Sequence, residues 1–218
     1  MEIKVTVRGL LINISKENMN EIDDLMTVFS SAKRFTFKRL LENKMKKGEI
    51  EKLVSKKYGL NIRQSKDAVE SARQTIASQK VSVKEYYENY SQKVRIVENQ
   101  LKKAKSNKKI NALTKKLEKR KKKQDFYKNH IDNNTIPKIV FGGRKNFIRR
   151  CKGLISNKEW KSLRDNNYYS RGDKTKKGNP NLRIIVKNNM PFLEISTLKK
   201  TESNRAVKIN VPLYLPQI

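Results

Sequence analysis

The stretch VKEYYENYSQKVRIVENQLKKA, residues 83–104, decides how this chain is read. Val83, Tyr87, Tyr90, Val94, Val97, Leu101 and Ala104 recur at alternating steps of four and three, the a/d seam of a helix that packs against another helix. Lys105-Ser106-Asn107-Lys108 interrupts the seam, and Ile110, Leu113 and Leu117 resume helical spacing before the basic run Lys119–Lys123. A short polar turn between two seams predicts an antiparallel helical hairpin over about residues 82–127, with one unbroken helix as the alternative. The seam is read as the hairpin's own core, and a dimerisation zipper is the competing use. Acidic partners at i±4 are scarce. Residues 102–123 hold twelve basic residues and the single acid Glu118, so the outer faces of the hairpin are cationic.

Upstream, Glu2–Ile14 alternates and is rich in Ile, Val and Thr, which predicts an opening strand. Ser15 and Asn18 or Asn20 offer N-caps, and Ile22, Leu25, Met26, Phe29 and Ala32, then Phe37, Leu40 and Leu41, keep helical spacing. They predict a long helix to about Lys47, stopped by Gly48. A short helix over Glu49–Lys57 follows, and a third spans about Ser65–Gln79. Downstream, Lys138–Phe141 is a short β-branched run ended by Gly142-Gly143, followed by helices over about Arg144–Cys151 and Lys158–Arg164. Leu182–Lys187 and Pro191–Leu198 flank Asn188-Asn189 as a β-hairpin, and Ala206–Leu215 supplies a last strand. Strands at both ends with helices between them predict an α+β fold, a small β-barrel or curled sheet carrying an inserted helical lobe. The expected division is 1–14 for the first barrel strand, 15–135 for the helical lobe, and 136–218 for the rest of the barrel with two short helices.

Charge says what the chain meets. Its 218 residues carry 52 Lys+Arg against 21 Asp+Glu, a formal net charge of +31, and only 36% are hydrophobic. An excess of this size calls for a polyanion, because neutralising phosphates releases their counterions. Nucleic acid is favoured over an anionic membrane. No segment pairs a basic face with a Trp/Phe/Leu-rich one, and no apolar run approaches the roughly 20 residues of a bilayer span. One cysteine, Cys151, and one histidine, His130, exclude an intrachain disulfide and a zinc site of four N/S protein ligands. They also leave little for nucleophile–histidine catalysis. Asp23, Asp24, Asp165 and Asp173 are the tempting carboxylates, but they form no pattern that would converge on two metal ions. The expectation is therefore no catalytic residue, no metal ligand and no cofactor in this chain, which is read as a protein of the cell interior.

Two segments invite phosphate. Phe141-Gly142-Gly143-Arg144-Lys145 ends in a basic helix start, whose free N–H groups attract anions; it lacks the spacing of a nucleotide-binding P-loop, and on these residues alone a plain turn is the better reading. Tyr168–Ile184 (YYSRGDKTKKGNPNLRI) interleaves glycines for close backbone approach, cations for phosphate and aromatic rings for unpaired bases. That reading selects Tyr168, Tyr169, Arg171, Lys174, Lys176, Lys177, Asn179 and Arg183, against a merely solvated loop.

Ile139–Lys145, Glu159-Trp160, Arg164, Arg171–Lys174 and Gly178–Ile184, in this order, resemble the N-terminal half of the TnpB-like family, RNA-guided nucleases of insertion sequences related to small Cas12-like effectors. The resemblance covers essentially the whole chain. It implies that the strands form a wedge (WED) barrel and the inserted helices a recognition (REC) lobe, together gripping a guide RNA and the guide–target heteroduplex. It implies a bacterial cytoplasmic location, guide RNA and target DNA as partners, and no membrane. Carried onto this sequence, Arg144, Lys145, Arg149, Arg150, Arg171, Lys174, Lys176, Lys177 and Arg183 face RNA phosphates, while Asn61, Arg63, Gln64 and Ser65 read the flanking DNA motif. The family's RuvC-like half, with its metal site, has no counterpart in these residues. The implied role is binding without cleavage, Mg²⁺ entering only with a separate nuclease chain. The alternatives are a subunit of a split endonuclease, an inactive truncated transposon protein, or a coiled-coil scaffold with generic polyanion affinity.

Overall fold

A computed structural model describes residues 6–173, 175 and 178–216. The order of elements is β1 (Leu10–Leu11), α1 (Lys16–Glu42), α2 (Lys47–Tyr58), α3 (Ile62–Lys102), α4 (Asn107–Asp132), α5 (Arg144–Cys151), α6 (Asn157–Asp165), β2 (Leu182–Lys187), β3 (Met190–Lys200) and β4 (Ala206–Tyr214). The chain is α+β, and it divides into two compact units, residues 1–72 with 140–218 and residues 73–139.

In the first unit, α1 starts at the N-cap Ser15, whose hydroxyl accepts from the Asn18 N–H at 3.1 Å. The predicted apolar spacing buries Leu25, Phe29 and Ala32 against Ile50 and Val54 of α2, Leu60, Ala68 and Val69, and Ile195 of β3. α1 ends earlier than expected, at Asn43, whose left-handed backbone (φ 50°) closes the helix as a glycine would. Gly48 lies inside α2 rather than stopping α1, because the first turn of a helix tolerates a residue of low propensity.

The sheet is a four-stranded antiparallel one in the order β1-β4-β3-β2. It is open, which corrects the expected closed barrel. β1 contributes two paired residues, Leu10 to Tyr214 and Leu11 to Leu213, and Asn13 (φ 48°) then turns the chain toward α1. A strand that short cannot also reach β2 at the far edge. Residues 1–5 of the expected opening strand lie outside the described residues. Lys138–Phe141 forms no strand either, and runs directly into the Gly142-Gly143 turn. The β2–β3 connection follows the reading: Asn188 and Asn189 both take left-handed backbone (φ 49° and 58°), as a two-residue hairpin turn requires.

In the second unit, α3 and α4 lie antiparallel, joined by a four-residue turn at 103–106. Three contacts mark the pairing. The Gln124 amide donates to Ser91 Oγ at 2.9 Å, Arg120 Nη1 to the Lys93 carbonyl at 2.7 Å, and Lys121 pairs with Glu98 at 3.0 Å. Val83, Val94 and Val97 of the seam are buried, as is Leu113 of α4. Tyr127 stacks on Tyr86 and Tyr90, with ring centroids 5.2 and 5.8 Å apart. The expected break before residue 82 is absent, since α3 continues through Ser78–Ser82, where no Gly or Pro interrupts the backbone ladder. No helix among the described residues is long and apolar enough to cross a membrane.

Candidate nucleic-acid interface

Helical spacing places Lys115, Lys119, Lys122 and Phe126 along one side of α4, at i, i+4, i+7 and i+11. With Lys116, Lys123 and Arg120 of α4, and Tyr90 and Lys93 of α3, they line a groove of about 840 Å³ within the second unit. Seven cations surround this groove and no acid does. Lysine stems, Ala112 and the two rings make its walls largely apolar while the ammonium groups stay in water. Lys93 Nζ lies 5.1 Å from the Tyr90 ring centre and Lys123 Nζ 5.7 Å from that of Phe126. The sequence marks this block as cationic and Tyr90 as a seam position, yet none of these residues is among the nucleic-acid contacts selected above. The four-residue and three-residue spacing is visible in the sequence; the opposite wall, contributed from α3, is not.

The residues singled out from the sequence lie in the first unit or, as with Lys174, Lys176 and Lys177, outside the described residues. Arg63 and Arg171 come together with Lys66 around a pocket of about 410 Å³, and each arginine is already engaged with a carboxylate. The pairs are crossed. Arg63 of α3 holds Asp173 of the 168–181 loop, and Arg171 of that loop reaches Asp67 of α3 at 3.2 Å. Asp67 is buried and also accepts from the Ser170 hydroxyl at 3.0 Å. Asp173 accepts from the Thr175 hydroxyl and N–H at 2.7 and 3.0 Å. Those bonds from Thr175, then Arg63, hold its pKa at about 2.

Gln64 is buried, and it forms a reciprocal cap with Asn61. The Asn61 N–H donates to Gln64 Oε1 at 3.0 Å and the Gln64 N–H to Asn61 Oδ1 at 2.8 Å. Its amide nitrogen donates onward to the Ser196 carbonyl at 3.2 Å. Ser65 is buried beside it and bonds the Asn61 carbonyl at 3.0 Å. This setting differs from the solvent-facing edge that base reading needs. Tyr168 and Tyr169 pack against the core, and Tyr168 meets Phe29 edge-on at 5.0 Å. Burial pushes the Tyr168 hydroxyl pKa up. Asn179 Oδ1 gathers the N–H groups of Asn181 and Leu182 at 3.0 and 3.2 Å, which ties the loop to itself.

Arg144, Lys145 and Arg149 are exposed on α5, and Arg150 is half-buried. Gly143 caps that helix without a side-chain bond, and Gly142 (φ +88°) lets the Trp160 indole of α6 approach. A Cβ there would meet the indole at 2.9 Å. Arg183 is exposed on β2 and pairs across the sheet with Glu194 at 2.7 Å, which Lys208 shares at 2.8 Å. Lys208 first, then Arg183, lower the Glu194 pKa against the opposing effect of burial. Asp165 is held by Arg34, while Asp23 and Asp24 are exposed on α1. Among the described residues no three His, Cys, Asp or Glu side chains converge as a metal site would require.

Two kinds of cation are thus distinguishable. Those of the hairpin groove and α5 have few acidic neighbours, whereas Arg63, Arg171 and Arg183 are paired with carboxylates. Residues 4–215 match a family model described as "SSO2105 N-terminal domain". No curated protein and no solved structure matches the chain.

Proposed function

The chain belongs to the SSO2105 N-terminal domain family, and we propose that it serves as a nucleic-acid-binding module. In this reading it is the guide-RNA-gripping half of a TnpB-like, RNA-guided DNA-targeting protein, and it holds RNA and the guide–target heteroduplex by their phosphates. The observation that carries the reading is the hairpin groove, with seven cations, two rings and no acid among its lining residues. Ammonium groups on such a face repel one another, and a phosphodiester chain laid along it relieves the repulsion as counterions leave. The exposed cations of α5 extend the same chemistry to the first unit. The scaffold alternative is disfavoured because Val83, Val94 and Val97, the seam a dimer would use, are buried within the monomer.

The test is RNA binding by fluorescence anisotropy across a salt series. Replacing Lys115, Lys119 and Lys122 together with Ala is expected to weaken binding and to flatten the plot of log K against log salt by about 0.7–0.9 per lost phosphate contact. Unchanged slope and affinity would remove the groove from the contact surface. Sequencing the RNA that co-purifies from expressing cells tests the guide: one dominant structured RNA supports it, and a random mixture refutes it.

A further inference from the structure

Phe126 is the residue in the groove that phosphate binding does not explain. Its ring is 45% exposed amid lysines, while the hairpin core is made by Val83, Val94, Val97 and Leu113. Tyr127 and His130 meet it nearly at right angles, with interplanar angles of 79° and 83°, so neither ring lies parallel over its face. What sits over that face is the Lys123 ammonium. Tyr90, which stacks on Tyr127 and has the Lys93 ammonium over its ring, lines the opposite wall. A duplex hides the faces of its bases and offers phosphates, 2′-hydroxyls and groove edges, on none of which an exposed phenyl ring can stack. A single strand offers both phosphates and the flat faces of its bases.

We infer that the α3–α4 groove takes an unpaired stretch of RNA, with a base stacked on Phe126 and a second against Tyr90. This rests on the nucleic-acid reading above and names the strand form it binds. An arriving base displaces the Lys123 ammonium from the ring, and the ammonium turns to the adjoining phosphate. One cation–π contact is thereby exchanged for a stack and an ion pair. The apolar lysine stems enclose the base, while the amino groups follow the backbone on either side.

The experiment compares a short labelled oligouridylate with a blunt RNA duplex of equal length, using the full chain and its Phe126→Ala, Phe126→Leu and Phe126→Trp variants. Circular dichroism confirms that each is folded. Leucine keeps the apolar bulk and removes the aromatic plane, so both F126A and F126L are expected to weaken single-strand binding by at least about fivefold. Duplex binding should change less than about twofold, and F126W should restore the single-strand affinity. If F126L binds the single strand like the unaltered chain, or if strand and duplex lose affinity equally, the inference is overturned. Duplex binding without single-strand binding also overturns it while leaving the broader function intact. Failure of the unaltered chain to bind either RNA overturns both.

Discussion

Replacing Gly142 with Ala tests how the double glycine positions α5. The added methyl would lie 2.9 and 3.0 Å from two ring carbons of Trp160 and 3.2 Å from the Arg164 Cβ, where unstrained carbons keep about 3.5–4.0 Å. The position also has φ +88°, which an L side chain adopts only under strain. Gly153 provides the control, with φ +72° and nothing within 4 Å of the place its added methyl would take. Gly153→Ala should therefore cost about 1 kcal/mol from backbone strain alone. Gly142→Ala should cost that plus about 1–3 kcal/mol of overpacking, roughly 2–4 kcal/mol in all. For a unit of about 150 residues this lowers Tm by roughly 4–16 °C, against about 2–4 °C for the control. Trp160 is the single tryptophan of the chain, so its fluorescence during urea unfolding reports on the very contact that is perturbed. Equal destabilisation by the two variants, within about 0.5 kcal/mol, would refute the steric reasoning.

The hairpin core should be equally selective. Val97→Ala, at a fully buried position, is expected to cost about 1–3 kcal/mol, whereas Ile96→Ala, 53% exposed, should stay within about 0.5 kcal/mol; amide hydrogen exchange in α3 and α4 distinguishes them. The tie between Arg63 and Asp173 should survive acid. Because the folded pKa of about 2 lies below the ordinary 3.8, the carboxylate's stabilising effect is full above about pH 4 and is lost only as pH falls through about 2. An NMR titration of the Asp173 carboxyl carbon should show that midpoint, and one near 3.8 would contradict the Thr175 and Arg63 hydrogen bonds.

Several local signals in the sequence are faithful, although the β-branched run Lys138–Phe141 forms no strand. The 4-3 seam, the Asn188-Asn189 turn and the two short helices after Gly143 each depend on periodicity or turn chemistry within a few residues. The misread boundaries turn on rivalries between residues: Asn43 closes α1 in the place of a glycine, and Gly48 is absorbed by α2. Barrel closure is illegible because it depends on how far residues near position 10 can pair with those near 214, a non-local question. The candidate site divides in the same way. The cationic block of α4 is plain, but Tyr90 and Lys93 come to it only through the hairpin register. Arg63 and Asp67 stand four apart on α3, and Arg171 and Asp173 two apart in the loop, so the sequence suggests neighbouring pairs. The fold exchanges the partners and makes two cross-links of them.

Among the described residues, every non-glycine position with left-handed backbone is an asparagine: Asn13, Asn43, Asn134, Asn188, Asn189 and Asn204. Aspartate tolerates that conformation nearly as well. Exchanging all six amides for acids would bring the formal charge from +31 to +25 while leaving the chain's corners in place. The protein therefore carries a set of dials on which its net positive charge can be lowered stepwise without redrawing its backbone.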